Sequence, residues 1–279
     1  MTTRPAGRST GTRDTAVLRL EGSQLRADGR DLVAVEEPLE IQIGYRDGVR
    51  RTRTLSITLR TPGHDRELAA GFAFAEGIVQ TVAQISTILE RRNKVRVELR
   101  SDVKVDWPAL ERHIVTNSSC GFCGKTCIDT AQQRVDPLAD GPVIAAATLA
   151  RLPQTLNAAQ PAFELTGGLH AAALFRATGQ LVSVYEDVGR HNALDKLVGA
   201  ELLAGRLPLR ESILLVSGRA GFELVLKALV AGIPIFAAIG APTSLAVDLA
   251  REGGMTLAGF VRGGRFNLYS CPNRVGGGL

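Results

Sequence analysis

Aromatic residues are scarce in this chain. Nine phenylalanines, three tyrosines and one tryptophan make up 5% of its 279 residues, so aliphatic side chains and alanine must fill the core. No apolar run is long enough to span a membrane: the longest, Ala228 to Ala241, is broken by Gly232, Pro234 and Gly240. The first residues, Met1 to Thr15, lack the apolar core of a signal peptide. Their Thr, Arg, Ser and Gly match an organelle transit peptide by composition alone and read as a disordered tail. Cysteine is also rare, with four in the chain. Without secretion these stay reduced, which favours reactive thiols or metal ligands over a disulfide framework. Acidic residues disappear after Gly253, leaving Arg262, Arg265 and Arg274 uncompensated locally.

What is present is an ordinary globular composition, 45% hydrophobic and 22% charged, with a net charge of +5 and a pI near 9.3. That excess falls short of a nucleic-acid binder and suits an anionic ligand or acidic partner. Nearly all the positive charge is arginine, the better fork for phosphate.

Apolar and polar residues alternate at Leu39, Ile41, Ile43 and at Leu55, Ile57, Leu59, predicting two strands joined at Arg46-Asp47-Gly48. A small-residue helix is expected over Glu67 to Glu76, and a hairpin over Ile85–Leu89 and Val95–Leu99. Asp136 to Pro142 reads as a linker. Beyond it, strands at Ala171–Arg176, Leu181–Glu186, Ser212–Val216, Ile233–Ile239, Thr256–Val261 and Phe266–Tyr269 alternate with helices at Asn192–Leu203, Phe222–Val230 and Ser244–Arg251. The expected fold class is α/β: a sheet with helices on both faces in the C-terminal half, after a smaller N-terminal mixed α+β domain. The expected division is a tail over 1–16, an N-terminal domain over 17–140 and the sheet domain over 141–279.

Ser118-Ser119-Cys120-Gly121-Phe122-Cys123-Gly124-Lys125 is the most specific segment. Glycine follows each cysteine, so the thiols sit on a segment with a free backbone, which reads as a mobile, accessible loop. The C-x2-C-x3-C spacing through Cys127 is compatible with zinc, with Cys271 as a distant fourth ligand. A thioredoxin-like dithiol, a structural role and a sulfur-carrying nucleophile remain open beside it. Lys125 favours a thiolate or persulfide electrostatically.

Three further segments suit an anion. Glu186 to Lys196 places Asp187, Arg190, His191 and Asn192 where a strand gives way to a helix N-terminus. Ser217-Gly218-Arg219 repeats that geometry. Phe260-Val261-Arg262-Gly263-Gly264-Arg265 sets two arginines around bare backbone. Each has a plain reading as well: helix caps, a tight turn, a hairpin with solvated arginines. Gly167-Gly168 before His170 marks either a close ligand approach or a turn.

Together these segments, with Glu37 to Ile41, Glu67 to Ala69, Gly71-Phe72 and Ala241 to Tyr269, resemble the formate dehydrogenase accessory sulfurtransferases, the FdhD family. The resemblance covers nearly everything between the tail and the last ten residues. It implies a cytoplasmic homodimer with neither nucleic acid nor membrane as partner. Such a protein takes sulfur as a persulfide from a cysteine desulfurase. It passes that sulfur to the molybdenum bis(guanine dinucleotide) cofactor, bound as substrate, of the formate dehydrogenase catalytic subunit. It further implies Cys120 and Cys123 as the sulfur-handling pair, with Cys120 as persulfide carrier. Phe260 to Arg265 fall on the family's cofactor-contacting segment. A cytidine-deaminase-like C-terminal half is implied, with His170 near the position of a deaminase zinc ligand and Ser217-Gly218-Arg219 where those enzymes carry cysteines. On that picture the zinc ligands are lost and no structural metal is expected. Cys127 and Cys271 fall outside the family pattern. The alternatives are a zinc-dependent hydrolase of the deaminase class and a non-catalytic cofactor chaperone.

Overall fold

The computed structural model describes residues 11–108, 137–138 and 141–276. Cys120, Cys123 and Cys127 lie outside these residues.

The chain opens with a long hairpin, β1 (Thr12–Glu21) and β2 (Gln24–Ala34), turning at Gly22. β1 begins inside the stretch expected as a tail, and the sequence had not suggested a hairpin there. Leu18, Leu20 and Leu25 are exposed, so this element carries little of the buried alternation that reveals a strand.

A four-stranded sheet follows, ordered β4-β3-β6-β5. β3 (Glu37–Asp47) and β4 (Val49–Arg60) pair antiparallel through the turn at Gly48, as their alternation predicts. β5 (Ile85–Arg91) and β6 (Lys94–Leu99) form the expected hairpin, and β6 runs parallel to β3. Leu39, Ile41 and Ile43 of β3 point inward with Val95 and Val97 of β6. Helix α1 (Asp65–Ala75) buries Leu68, Ala69 and Ala73 in the same core.

The second half is built on a six-stranded sheet ordered β13-β12-β11-β10-β8-β9. Its strands are β8 (His170–Arg176), β9 (Leu181–Asp187), β10 (Ser212–Val216), β11 (Ile235–Ala238), β12 (Thr256–Arg262) and β13 (Arg265–Ser270). β10, β11 and β12 are parallel, and the remaining neighbours pair antiparallel. Side-chain alternation divides the strands between two layers. Leu214, Val216, Phe236 and Leu257 face helices α4 (Arg190–Leu203), α5 (Phe222–Val230) and α6 (Ser244–Glu252). Ile213, Leu215, Ile235 and Ala237 face helix α2 (Ala146–Ala158), through Leu149, Leu152 and Leu156. The sheet thus carries helices on both faces.

Helix α2 was not legible in the sequence. Pro153 lies inside it and removes one helical N–H, which reads locally as a break. Burial of its leucines against the sheet overrides that signal. A short helix α3 (Pro161–Thr166) follows, with proline at its first position. A two-residue parallel pair, β7 (Ile144–Ala145) with β14 (Val275–Gly276), ties the C-terminal segment down.

The two halves share one core. β3, β6 and α1 contribute to the same buried cluster as α4, α5 and the inner face of the large sheet. Helices α1 and α4 meet backbone to backbone: a Cβ on Gly71 would collide with the Asp195 carbonyl, and one on Gly199 with the Glu67 carbonyl. Glycine at both positions is what lets the helices approach so closely.

Candidate functional site

A cavity of about 590 Å³ opens at the C-terminal ends of β10, β11 and β12. Ligands bind at that edge in open α/β sheets because the strand ends leave loops and backbone groups free there. Ser217 follows β10, Ile239 follows β11, and Arg262 and Gly263 end β12. His170 and Gly167–Leu169 enter from the start of β8. The rest of the lining comes from α2, α3 and the residue that caps α3: Ala150, Pro153, Gln154, Asn157, Phe163 and Gln160.

Four residues expected at a ligand site line this cavity: His170, Ser217, Arg262 and Gly263. The Ser217 hydroxyl accepts the Ala171 N–H at 2.9 Å, extending the β10–β8 ladder past its last strand residue. A Cβ on Gly218 would lie 3.4 Å from His170 Nδ1 and 3.9 Å from Arg190 Cδ, ordinary contact distances that put this turn beside the imidazole and the Arg190 side chain. Burial first, then the charges of Arg190 and His191, hold the His170 pKa below its ordinary value. His170 therefore faces the cavity as a neutral imidazole at neutral pH.

The arginine segment is locally strained. Phe260 holds a left-handed backbone (φ 54°) where the β12–β13 register slips between Gly259 and Arg262. Its N–H donates to Gly240 O at 3.0 Å. Such outliers concentrate at ligand sites, where surrounding structure fixes them. Val261 points into the core, whereas Arg262, Gly263, Gly264 and Arg265 are exposed on the turn. Gly263 and Gly264 both take positive φ. Arg265 pairs across from Arg262 but does not line the cavity, and Arg219 is exposed outside its lining.

The polar run after β9 has a different placement. Asp187 is fully buried and Asn192 nearly so, and neither lines the cavity. Asp187 accepts the Thr61 N–H (3.2 Å) and pairs with Lys196 Nζ (2.7 Å). Lys196 also donates to Thr61 O (2.9 Å), and Asn192 Nδ2 donates to Leu59 O (2.8 Å) and to Asp187 (3.0 Å). These side chains clamp the end of β4 to the start of α4. The density of polar residues that drew attention in the sequence thus serves a junction as much as a pocket. His191 Nε2 lies 2.8 Å from Glu223. Burial alone would raise the Glu223 carboxyl, but the His191 hydrogen bond and charge bring it below the ordinary range. Asp195 lies behind them, bound by Lys227 at 2.6 Å, and burial still raises its pKa against that pairing.

The residues missed from sequence are those of α2 and α3. Glu186 fixes α3 by accepting the N–H groups of Phe163 (2.8 Å) and Ala162 (3.2 Å), which anchors a carboxylate at the helix start. The Gln160-Pro161 step was the local signal for that start. Cys271 is partly buried and well removed in sequence from the loop cysteines. Among the described residues, no three His, Cys, Asp or Glu side chains converge as metal ligands. None of the described helices is long and apolar enough to cross a membrane.

A two-sided α/β sheet with a cavity rimmed by arginine and glycine at its parallel strand ends defines an α/β protein whose candidate site is that cavity. Comparison with known proteins sharpens that class. Residues 34–276 match the FdhD/NarQ family model, and the chain belongs to that family. It is 47% identical over 258 residues to the sulfur carrier protein FdhD of Streptomyces coelicolor, covering 88% of this chain and 89% of the relative. It is 45% identical to the sulfur carrier protein FdhD of Nocardia farcinica, covering 97% and 96%. The crystal structure of a Desulfotalea psychrophila protein described as a formate dehydrogenase accessory protein superposes with a TM-score of 0.76. That likeness is at 25% identity over 95% of this chain and 99% of the other.

Proposed function

We propose that this protein is a cytoplasmic sulfurtransferase. In this reading it accepts persulfide sulfur from a cysteine desulfurase and delivers it to the molybdenum bis(guanine dinucleotide) cofactor destined for the catalytic subunit of formate dehydrogenase. Membership of a family whose curated relatives are named sulfur carriers carries the reading. The Cys-Gly-Phe-Cys-Gly segment supplies the chemistry and the cavity supplies a place for an anionic substrate.

Cys120, as thiolate, attacks the terminal sulfur of the desulfurase persulfide. The S–S bond to the desulfurase breaks, one to Cys120 forms, and the electron pair leaves on the desulfurase thiolate. For delivery, Cys123 attacks the inner sulfur of the Cys120 persulfide. Hydrosulfide leaves towards the cofactor, and a Cys120–Cys123 disulfide remains for a thiol reductant to reset. Arg262 and the backbone of Gly263 would hold phosphate, with Gly264 next on the turn and with Ser217 and neutral His170 also lining the cavity.

We read the six-stranded sheet as a deaminase-like α-β-α layer in a homodimer, with His170 beside Ser217-Gly218-Arg219 at the end where such enzymes bind zinc. A zinc hydrolase would have to recruit ligands from the loop cysteines, and stoichiometric zinc in the purified protein would favour it. The deciding experiment is intact-mass analysis after incubation with a cysteine desulfurase and cysteine. A gain of one sulfur is expected in the wild type and none in the Cys120→Ala, Cys123→Ala variant. Sulfur gain that survives both substitutions removes the mechanism.

A further inference from the structure

Gln160 is only 2% exposed, and its Nε2 has no hydrogen-bond partner among the described residues. Buried side-chain donors are normally satisfied, and an unmet one costs stability for which the fold alone gives no return. Gln160 is also part of the cavity wall. An amide turns about a broad, shallow terminal torsion, so a ligand acceptor can capture the donor with little rearrangement. The neighbouring wall favours a planar, uncharged ligand edge. Gln154 and Asn157 add two carboxamides, Phe163 adds a ring that is 40% exposed, and among the described residues no Asp or Glu lines the cavity. Among the described residues the lining guanidinium is Arg262, which comes from the end of β12 rather than from the helical segments that bring the amides. An anion at Arg262 and a heterocycle among the amides is the arrangement this polarity supports. The volume of about 590 Å³ lies within the usual range for a small-molecule site.

We propose that Gln160 is a specificity-determining residue of this cavity, donating from Nε2 to a carbonyl acceptor on the edge of a bound heterocycle beside Phe163. A donor at this point prefers a keto purine over an amino purine, because the first presents oxygen where the second presents N–H. Glu186 acts as a positioning residue, since its carboxylate holds the first turn of α3 and with it Phe163. The inference rests on the reading that the cavity takes a guanine nucleotide end of the cofactor.

Titration of the full-length protein with GDP and with ADP tests it. Wild type should bind GDP more tightly than ADP. Gln160→Leu should weaken GDP binding about tenfold, leave ADP nearly unchanged and melt no lower than wild type, because it removes an unmet donor. If Gln160→Leu fails to fold, Gln160→Met, which matches the length of the side chain, is measured in its place with the same expectation. Retention of the GDP preference in the variant, or equal loss for both nucleotides as from a merely structural defect, overturns the proposal and leaves the cavity assignment standing. Failure of the wild type to bind either nucleotide overturns both.

Discussion

At the residue scale, position within the cavity separates side chains that the sequence treats alike. Arg262 lines the cavity and Arg265 does not, although the two flank the same glycine pair. Removing a charge-assisted phosphate contact costs about 1.5–3 kcal/mol, so Arg262→Ala should weaken GDP binding by that amount and Arg265→Ala by clearly less. Equal losses measured by calorimetry would contradict the placement. His170 gives a pH prediction. Its folded pKa lies below the ordinary 6.5 through burial and the charges of Arg190 and His191. A depressed histidine stabilises the fold above the unfolded pKa and loses that contribution as pH falls through the folded value. NMR titration should place His170 below 6.5, and Arg190→Gln should raise it. A value at or above 6.5 in the wild type would show that the imidazole is more hydrated than its surroundings indicate.

At the scale of elements, two contacts fasten the N-terminal sheet to the C-terminal one. The first is the α1–α4 crossing. Overpacking of a tight contact costs about 1–3 kcal/mol, and here backbone rather than a movable side chain stands in the way. Gly71→Ala and Gly199→Ala should each lower the unfolding free energy by at least that much in urea titrations. A change below about 0.5 kcal/mol, the scale of an ordinary surface substitution, would mean the helices are free to separate. The second is the Asp187–Lys196 pair with its bonds to Leu59 and Thr61. Breaking a buried pair from one side costs about 3–5 kcal/mol, because the remaining charge is stranded. Lys196→Met should therefore destabilise strongly and leave sulfur loading of the surviving folded protein intact. If loading and stability fall separately, Lys196 has a role beyond this clamp.

At the scale of the molecule, the continuous core predicts one cooperative unit. Trp107 packs on Tyr45 of β3, with ring centroids 4.8 Å apart, and Arg53 of β4 lies over the same indole. It therefore reports on the N-terminal sheet, while far-UV circular dichroism reports mainly on the helices of the second half. The two unfolding curves should coincide in denaturant. Separate midpoints would show that the N-terminal sheet opens before the larger one, despite the shared cluster of α1 and α4.

Local pattern sufficed wherever local physics decides. Alternation marked β3 and β4, the turn at Arg92-Asn93-Lys94 marked the β5–β6 hairpin, and a continuous aliphatic run marked β10. Strand and helix punctuation placed α4, α5 and α6, and the glycine after each of Cys120 and Cys123 pointed to sulfur chemistry. The β1–β2 hairpin and α2 escaped because one exposes its leucines and the other contains Pro153, so their local signals run against the structure they adopt. The division of polar residues was decided only in three dimensions. Asp187, Asn192 and Lys196 are turned to backbone groups of Leu59 and Thr61, more than 120 positions earlier. Gln160 and Phe163 share a cavity with the ends of β10 to β12, at Ser217, Ile239 and Arg262, which lie up to about 100 positions later. A side chain's partner across such a distance is set by how elements pack, and no periodicity of 2 or 3.6 residues carries that information.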